Sequence, residues 1–194
     1  MIVIALGSNL PGVWGTPKQA LHRALDELIH HGIQIIETSR LYNTRPYGVT
    51  AQANFLNAVA IISTPIPAPA VLRVFKEIEA KAGRRHINTQ LAPRFFQAPT
   101  GRRASQRWSP RPLDIDIVDY KGVIFNWDMR RPLVGRRLIL PHAEAHKRAF
   151  VLRPLCDIAP FWHHPVLGAT AVELLKQPAV RRAGAILNDA GSFF

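Results

Sequence analysis

The chain has 194 residues, 47% of them apolar, which is enough for a folded domain with its own core and argues against disorder. Its 25 Lys and Arg against 13 Asp and Glu give a formal charge of +12, so partners are expected among anions: nucleotides, nucleic acid or acidic lipid. No run approaches the roughly 18 apolar residues of a membrane span, no basic leader opens MIVIALGSN, no Cys/His group has zinc spacing, and the lone Cys156 cannot close an intrachain disulfide. A cytoplasmic, unexported protein is expected, one domain over residues 1–194, and a monomer in the simplest case.

Ile2 to Leu6 is an apolar run that ends at Gly7, as a buried first strand does, and Gly7-Ser8-Asn9-Leu10-Pro11-Gly12 reads as a tight turn rather than a phosphate loop. Thr16 then caps a helix with Pro17 in its first turn, and apolar residues from Ala20 to Ile29 recur at helical spacing until Gly32. Ile33 to Tyr42 and Phe55 to Ser63 are rich in β-formers and predict two strands, paired antiparallel across a Pro/Gly-containing loop. Pro65, Pro67 and Pro69 interrupt the chain. A second amphipathic helix follows on Val71, Leu72, Phe75, Ile78 and Ala82, with Gly83 as its stop.

Residues 84–107 form a long basic loop without periodicity. No acidic residue falls between Glu79 and Asp114, whereas eight Lys or Arg do, from Lys81 to Arg111. Leu113, Ile115 and Ile117 then alternate with Asp114 and Asp116, which predicts a strand with one apolar and one polar face. The order β-α-β-β-α-β is that of an α+β, ferredoxin-like antiparallel sheet backed by helices. A turn near Lys121-Gly122 and short helices around 144–149 and 168–176 complete the expectation.

Residues two apart on a strand leave the same face, so the Asp114 and Asp116 carboxylates stand a side chain's width apart and repel unless something compensates. Magnesium is one solution, because it takes one or two carboxylates and completes its octahedron with water and phosphate oxygens. An exposed strand face neutralised by Arg107 or Arg111 is the other. Arg107-Trp108-Ser109-Pro110-Arg111, just upstream, favours the metal, since guanidinium forks bind phosphate and phosphoryl transfer needs positioning and charge neutralisation. The same Arg-Trp-Arg group also suits nucleic acid. His142, Arg148 and Phe150 taken singly have ordinary structural readings.

Taken together, GSNL at 7–10, YNTRPYG at 42–48, FLN at 55–57, RWSPRPLDID at 107–116 and PHAEAHKRAFVL at 141–152 resemble the 6-hydroxymethyl-7,8-dihydropterin pyrophosphokinase family of folate biosynthesis, in order and spacing over nearly the whole chain. The resemblance implies transfer of the β,γ-pyrophosphoryl group of ATP to the pterin hydroxymethyl oxygen, with AMP released and two Mg2+ ions bound. Asp114 and Asp116 would then hold metal, and Arg107, Arg111, His142 and Arg148 the triphosphate. Glu79 and Arg84 would lie near the nucleotide. Phe55 and Phe150 would sandwich the pterin, Trp108 would close over it, Asn57 would read its edge, and the backbone of Thr44, Arg45 and Tyr47 would complete the pocket. Asp116 is the candidate for receiving the hydroxyl proton. The stretch from Arg85 to Gln106 is longer than the family's usual loop, and Ser109 stands where many relatives carry glycine. A basic nucleic-acid-binding protein and a pterin-binding paralogue with weakened catalysis are the competing readings.

Overall fold

The computed structural model describes residues 1–46, 51–84, 109–127, 138–182 and 186–193. In chain order these form β1 (Ile2–Ser8), α1 (Pro17–His30), β2 (Gln34–Thr38), β3 (Tyr42–Thr44), β4 (Phe55–Ser63), α2 (Ala68–Lys81), β5 (Asp114–Tyr120), a 3-10 turn (Ala145–Lys147), α3 (Ala149–Ile158), α4 (Ala171–Lys176), α5 (Pro178–Arg182) and β6 (Ile186–Asp189). All pairings are antiparallel, in the order β5-β1-β4-β3-β6, with β2 also paired to β4. With β2 and β3 counted as one interrupted strand, this is the expected α+β ferredoxin-like order, extended by β6 at the β3 edge.

Both faces of the sheet are covered, which is why β1 reads as a continuous apolar run rather than an alternation. Ile2, Ile4 and Leu6 pack with Leu21 and Leu28 of α1 and with Val71, Phe75 and Ile78 of α2. Val3, Val59 and Val118 face the other way, toward Leu152 and Leu155 of α3 and Leu174 of α4. At about 25 cal/mol per Å2 of buried apolar surface, these two layers supply the main favourable contribution to folding.

Helix α1 begins as expected. The Thr16 hydroxyl accepts from the Gln19 N–H and the Gln19 side chain returns to the Thr16 N–H, a capping box. Other expectations need correction. Ile33 to Tyr42 is not one strand: between β2 and β3 the Ser39 hydroxyl accepts from the Val59 N–H and donates to the Arg40 carbonyl, so a side chain takes a ladder position. Pro67 and Pro69 do not break the chain before α2 but stand at its cap and in its first turn, where a missing N–H costs nothing. The short helix expected around 144–149 is the 3-10 turn at Ala145–Lys147, and α3 follows it unannounced, running to Ile158 despite Pro154 in its interior. Strand β6, only four residues long, exists through its pairing with β3. No helix among the described residues is long and apolar enough to cross a membrane.

The layer containing α3 and α4 carries a buried titratable group. His164 is fully buried, its Nδ1 accepts the N–H groups of Val166 and Leu167, and burial pushes its pKa down from 6.5 to about 4. A folded-state value below the unfolded one means that the unfolded chain takes up the proton first as pH falls. Stability is therefore full above about pH 6.5 and declines toward pH 4, by roughly 3 kcal/mol from this group. Burial lowers His142 and His146 too, with the same sign. Urea unfolding at pH 7 and pH 4.5 should show the loss, and His164→Gln should flatten the pH slope. An unchanged slope would clear His164 of the effect.

Candidate active site

The site lies where β1, β4 and β5 meet, on the face of the sheet that carries α3. There β1 presents Val3, Ala5 and Gly7 in succession, so side-chain size falls to nothing and the floor deepens. Ala5 sits between Val59 and Asp116, and Gly7 between Asn57 and Asp114. The resulting hollow holds about 290 Å3. Five cationic side chains line it among the described residues, Arg45, Lys76, Arg84, Arg111 and Arg148, against two carboxylates, Asp114 and Asp116. That balance attracts a polyanion.

Asp114 opens β5, and each of its oxygens accepts from a guanidinium, Oδ1 from Arg84 at 2.6 Å and Oδ2 from Arg111 at 2.8 Å. Burial works to raise its pKa, but Arg111, Arg84 and Lys76 outweigh it and hold the carboxyl at about 2. Behind this pair lies Glu79, 2% exposed. Its carboxylate accepts from the Ile115 N–H at 2.9 Å and from Lys76 Nζ at 2.8 Å, and pairs with Arg84 at 2.6 Å. The structure thus places Glu79 beneath the pocket wall, joining α2 to β5, and not on the lining. Lys76, one turn earlier on α2, is the residue that reaches the pocket. Sequence reading passed over it, although its spacing of three from Glu79 on one helix face was available.

Asp116, two residues on, is paired less closely, with His142 Nε2 at 3.8 Å from Oδ2. His142 Nδ1 accepts the Glu144 N–H at 3.1 Å, so the ring hydrogen is on Nε2, the nitrogen that faces Asp116. Burial lowers the pKa of His142 against the pull of Asp116, so at neutral pH it is a neutral donor. Arg148 precedes α3, with its guanidinium 5.6 Å from the centre of the Phe150 ring. Among the described residues its buried Nε has no hydrogen-bond partner, a donor held at the pocket wall.

The opposite wall is built for a flat polar ligand. Asn57 Nδ2 donates to the buried Thr44 hydroxyl at 2.7 Å, which fixes the carboxamide and turns Oδ1 toward Gly7. Phe55 and Phe150, both half-buried, line the same space. A Cβ on residue 7 would stand 2.7 Å from Asn57 Oδ1 and 3.8 Å from the Phe55 ring. Gly7→Ala should therefore displace the Asn57 amide and raise KM for the ligand read by that wall about tenfold, the loss of one good hydrogen bond. The KM for the ligand on the Asp114 side should move little. Equal changes in both would show that the effect is global.

The turn expected at Gly7-Ser8-Asn9 needs correction as well. Gly7 and Ser8 belong to β1, and Asn9 is 3% exposed, with its side chain bonded to Gln52, Ala53 and Arg111. Nothing local in the sequence marks this role. Of the residues expected at the site, Thr44, Arg45, Phe55, Asn57, Arg84, Arg111, Asp114, Asp116, His142, Arg148 and Phe150 share the one hollow. Tyr47, Arg107 and Trp108, with the basic loop from 85 to 107, lie outside the described residues.

Two carboxylates on one strand face are a hard-oxygen donor set that fits magnesium, which takes one or two carboxylates and completes its shell from phosphate and water. Among the described residues no group of three or more His, Cys, Asp or Glu is placed to hold a metal ion.

A family model described as 7,8-dihydro-6-hydroxymethylpterin-pyrophosphokinase matches residues 3–160. A 2-amino-4-hydroxy-6-hydroxymethyldihydropteridine pyrophosphokinase of Methylorubrum extorquens is 34% identical over 158 residues, 81% of each chain. The protein of the same name from Haemophilus influenzae is 32% identical over 157 residues, 80% of this chain and 79% of its own. A folate synthesis bifunctional protein of Arabidopsis thaliana is 34% identical over 157 residues, 81% of this chain, but the match spans only 26% of that protein's length. Among solved structures, a Plasmodium falciparum HPPK-DHPS triple mutant superposes with a TM-score of 0.60 at 16% identity, over 90% of this chain and 42% of the other, a likeness of fold.

Proposed function

The chain belongs to the 7,8-dihydro-6-hydroxymethylpterin-pyrophosphokinase family and transfers a pyrophosphoryl group to hydroxymethyldihydropterin in folate biosynthesis; we propose that the donor is ATP, bound with two magnesium ions on Asp114 and Asp116. The observation that carries this reading is the single hollow in which the Asp114/Asp116 pair and its cations face the Thr44–Asn57 amide and two phenylalanines across Ala5 and Gly7.

The hydroxymethyl oxygen of the pterin forms a bond to the β-phosphorus, the bridge between the α- and β-phosphates breaks, and AMP leaves with the bridging oxygen. When bound, magnesium neutralises the charge that shifts along the phosphates. Arg111 and Arg148 offer guanidinium forks to the triphosphate, and Arg84, anchored on Glu79, extends that surface. His142 adds an Nε2–H donor that can hydrogen-bond a phosphate oxygen. Asn57 Oδ1 accepts from the amino-pyrimidine edge of the pterin, and Phe55 and Phe150 enclose its ring and exclude water. Asp116, paired less tightly than Asp114, receives the hydroxyl proton. Arg107 as a phosphate contact and Trp108 as a cover over the pterin belong to this proposal on their motif alone. So do a single domain over 1–194, a monomer, and a cytoplasmic setting, the last supported by the lone Cys156.

The test is incubation with ATP, Mg2+ and 6-hydroxymethyl-7,8-dihydropterin, followed for AMP. Equimolar AMP and pterin diphosphate are expected. ADP in place of AMP, or no turnover with authentic substrates, would reject the reading.

A further inference from the structure

The carboxamide of Asn9, buried at the end of β1, has every polar atom engaged. Oδ1 accepts the Arg111 N–H at 2.8 Å, while Nδ2 donates to Gln52 Oε1 at 3.0 Å and to the Ala53 carbonyl at 3.1 Å. Its backbone N–H also donates to the Arg111 carbonyl at 3.2 Å. One side chain therefore joins two segments that are far apart in sequence. One carries Arg111, whose guanidinium lies on Asp114, and the other leads within two residues to Phe55. Neither residues 51–54 nor residues 109–113 form helix or strand, so side-chain bonds replace the ladder that would otherwise hold them.

We infer that Asn9 is a positioning residue that couples the two substrate sites, so that ordering the Arg111 segment on a triphosphate orders the Gln52–Phe55 segment for the pterin, and the reverse. This rests on the proposed function, which assigns the triphosphate to the Arg111 side and the pterin to the Phe55 side. The coupling is reciprocal by thermodynamic necessity. Asparagine is the side chain required, because the bridge needs an acceptor toward Arg111 and a donor toward Gln52 and Ala53 in one planar group. Asn9→Asp keeps the acceptor and removes the donor. It cuts the bond to the Ala53 carbonyl, an acceptor that cannot reverse its role, and leaves the acceptor toward Arg111 in place.

Calorimetry would compare the affinity for 6-hydroxymethyl-7,8-dihydropterin with and without a saturating non-hydrolysable ATP analogue and Mg2+. In the wild type the analogue should tighten pterin binding on the order of tenfold. In Asn9→Asp and Asn9→Ala that factor should fall below about twofold, while affinity for the analogue alone changes by less than about threefold. A thermal melt establishes that each variant is folded, and if Asn9→Ala is not, Asn9→Asp and Asn9→Ser carry the test. A variant that keeps the wild-type factor, including one in which both affinities drop in parallel, overturns the inference, as does a wild type with no coupling. A wild type that binds neither ligand instead removes the proposed function.

Discussion

Asp114→Asn is expected to lower kcat for AMP formation by about 10³-fold, the consequence of losing roughly 4 kcal/mol of charge stabilisation on the migrating phosphates. Asparagine keeps the shape of the side chain but not its charge, and an amide is a poor ligand for a hard dication. The fold should survive the change. Arg84 retains Glu79, and the Arg111 Nε–H retains the Ser109 carbonyl at 3.1 Å. The amide nitrogen now facing one of the two guanidinium groups should cost about 1–3 kcal/mol of stability. Initial rates at saturating substrates, a thermal melt and Mn2+ binding in the presence of an ATP analogue make the separation. A folded Asp114→Asn protein with wild-type-like turnover would reject the metal role given to this residue.

Arg111→Ala should lower kcat/KM for ATP by about 10²–10³-fold, the range for removing one preorganised donor from developing charge. Arg111→Lys should recover little of it, because a point charge on a flexible stem does not reproduce a planar fork held on Ser109 and Asp114. Neither substitution touches the Asn9 bridge, which meets Arg111 through its backbone N–H and carbonyl. Arg111→Ala should therefore lose rate, nucleotide affinity and the hold by which a triphosphate orders this segment, while the Asn9 variants lose the coupling with nucleotide affinity nearly unchanged. Kinetics with ATP varied at fixed pterin, set beside the two-ligand calorimetry, distinguish the residues. If Arg111→Lys restored full kcat/KM, charge alone would suffice and the fork geometry would be irrelevant.

Charge and local pattern carried much of the chemistry into view before any contact was known. The alternation around Asp114 and Asp116 put two carboxylates on one face, and the flanking arginines pointed to phosphate. The Thr16 cap with Pro17 and the stop at Gly32 located α1. These are short-range signals. A period of two, a capping hydroxyl or a residue free to take positive φ acts within a few positions of itself, so it can be read from those positions.

What stayed hidden depends on pairings across long stretches of chain. Only the register of β1 between β4 and β5 sets Gly7 between Asn57 and Asp114 and makes the Val3-Ala5-Gly7 series a descending floor. Only the docking of α2 against β5 puts Glu79 under the wall and brings Lys76 to its surface. Strand β6 and the break at Ser39 are likewise settled by partners elsewhere, β3 for one and the Val59 N–H for the other. Asn9 shows the difference most sharply. Its sequence neighbours describe a turn, whereas its partners, 43, 44 and 102 residues away, make it a bridge. Residue types thus determined which chemistry this protein carries, and tertiary structure decided which groups share one hollow and which hold them there, because hydrogen bonds and buried contacts act through distance in space and not along the chain.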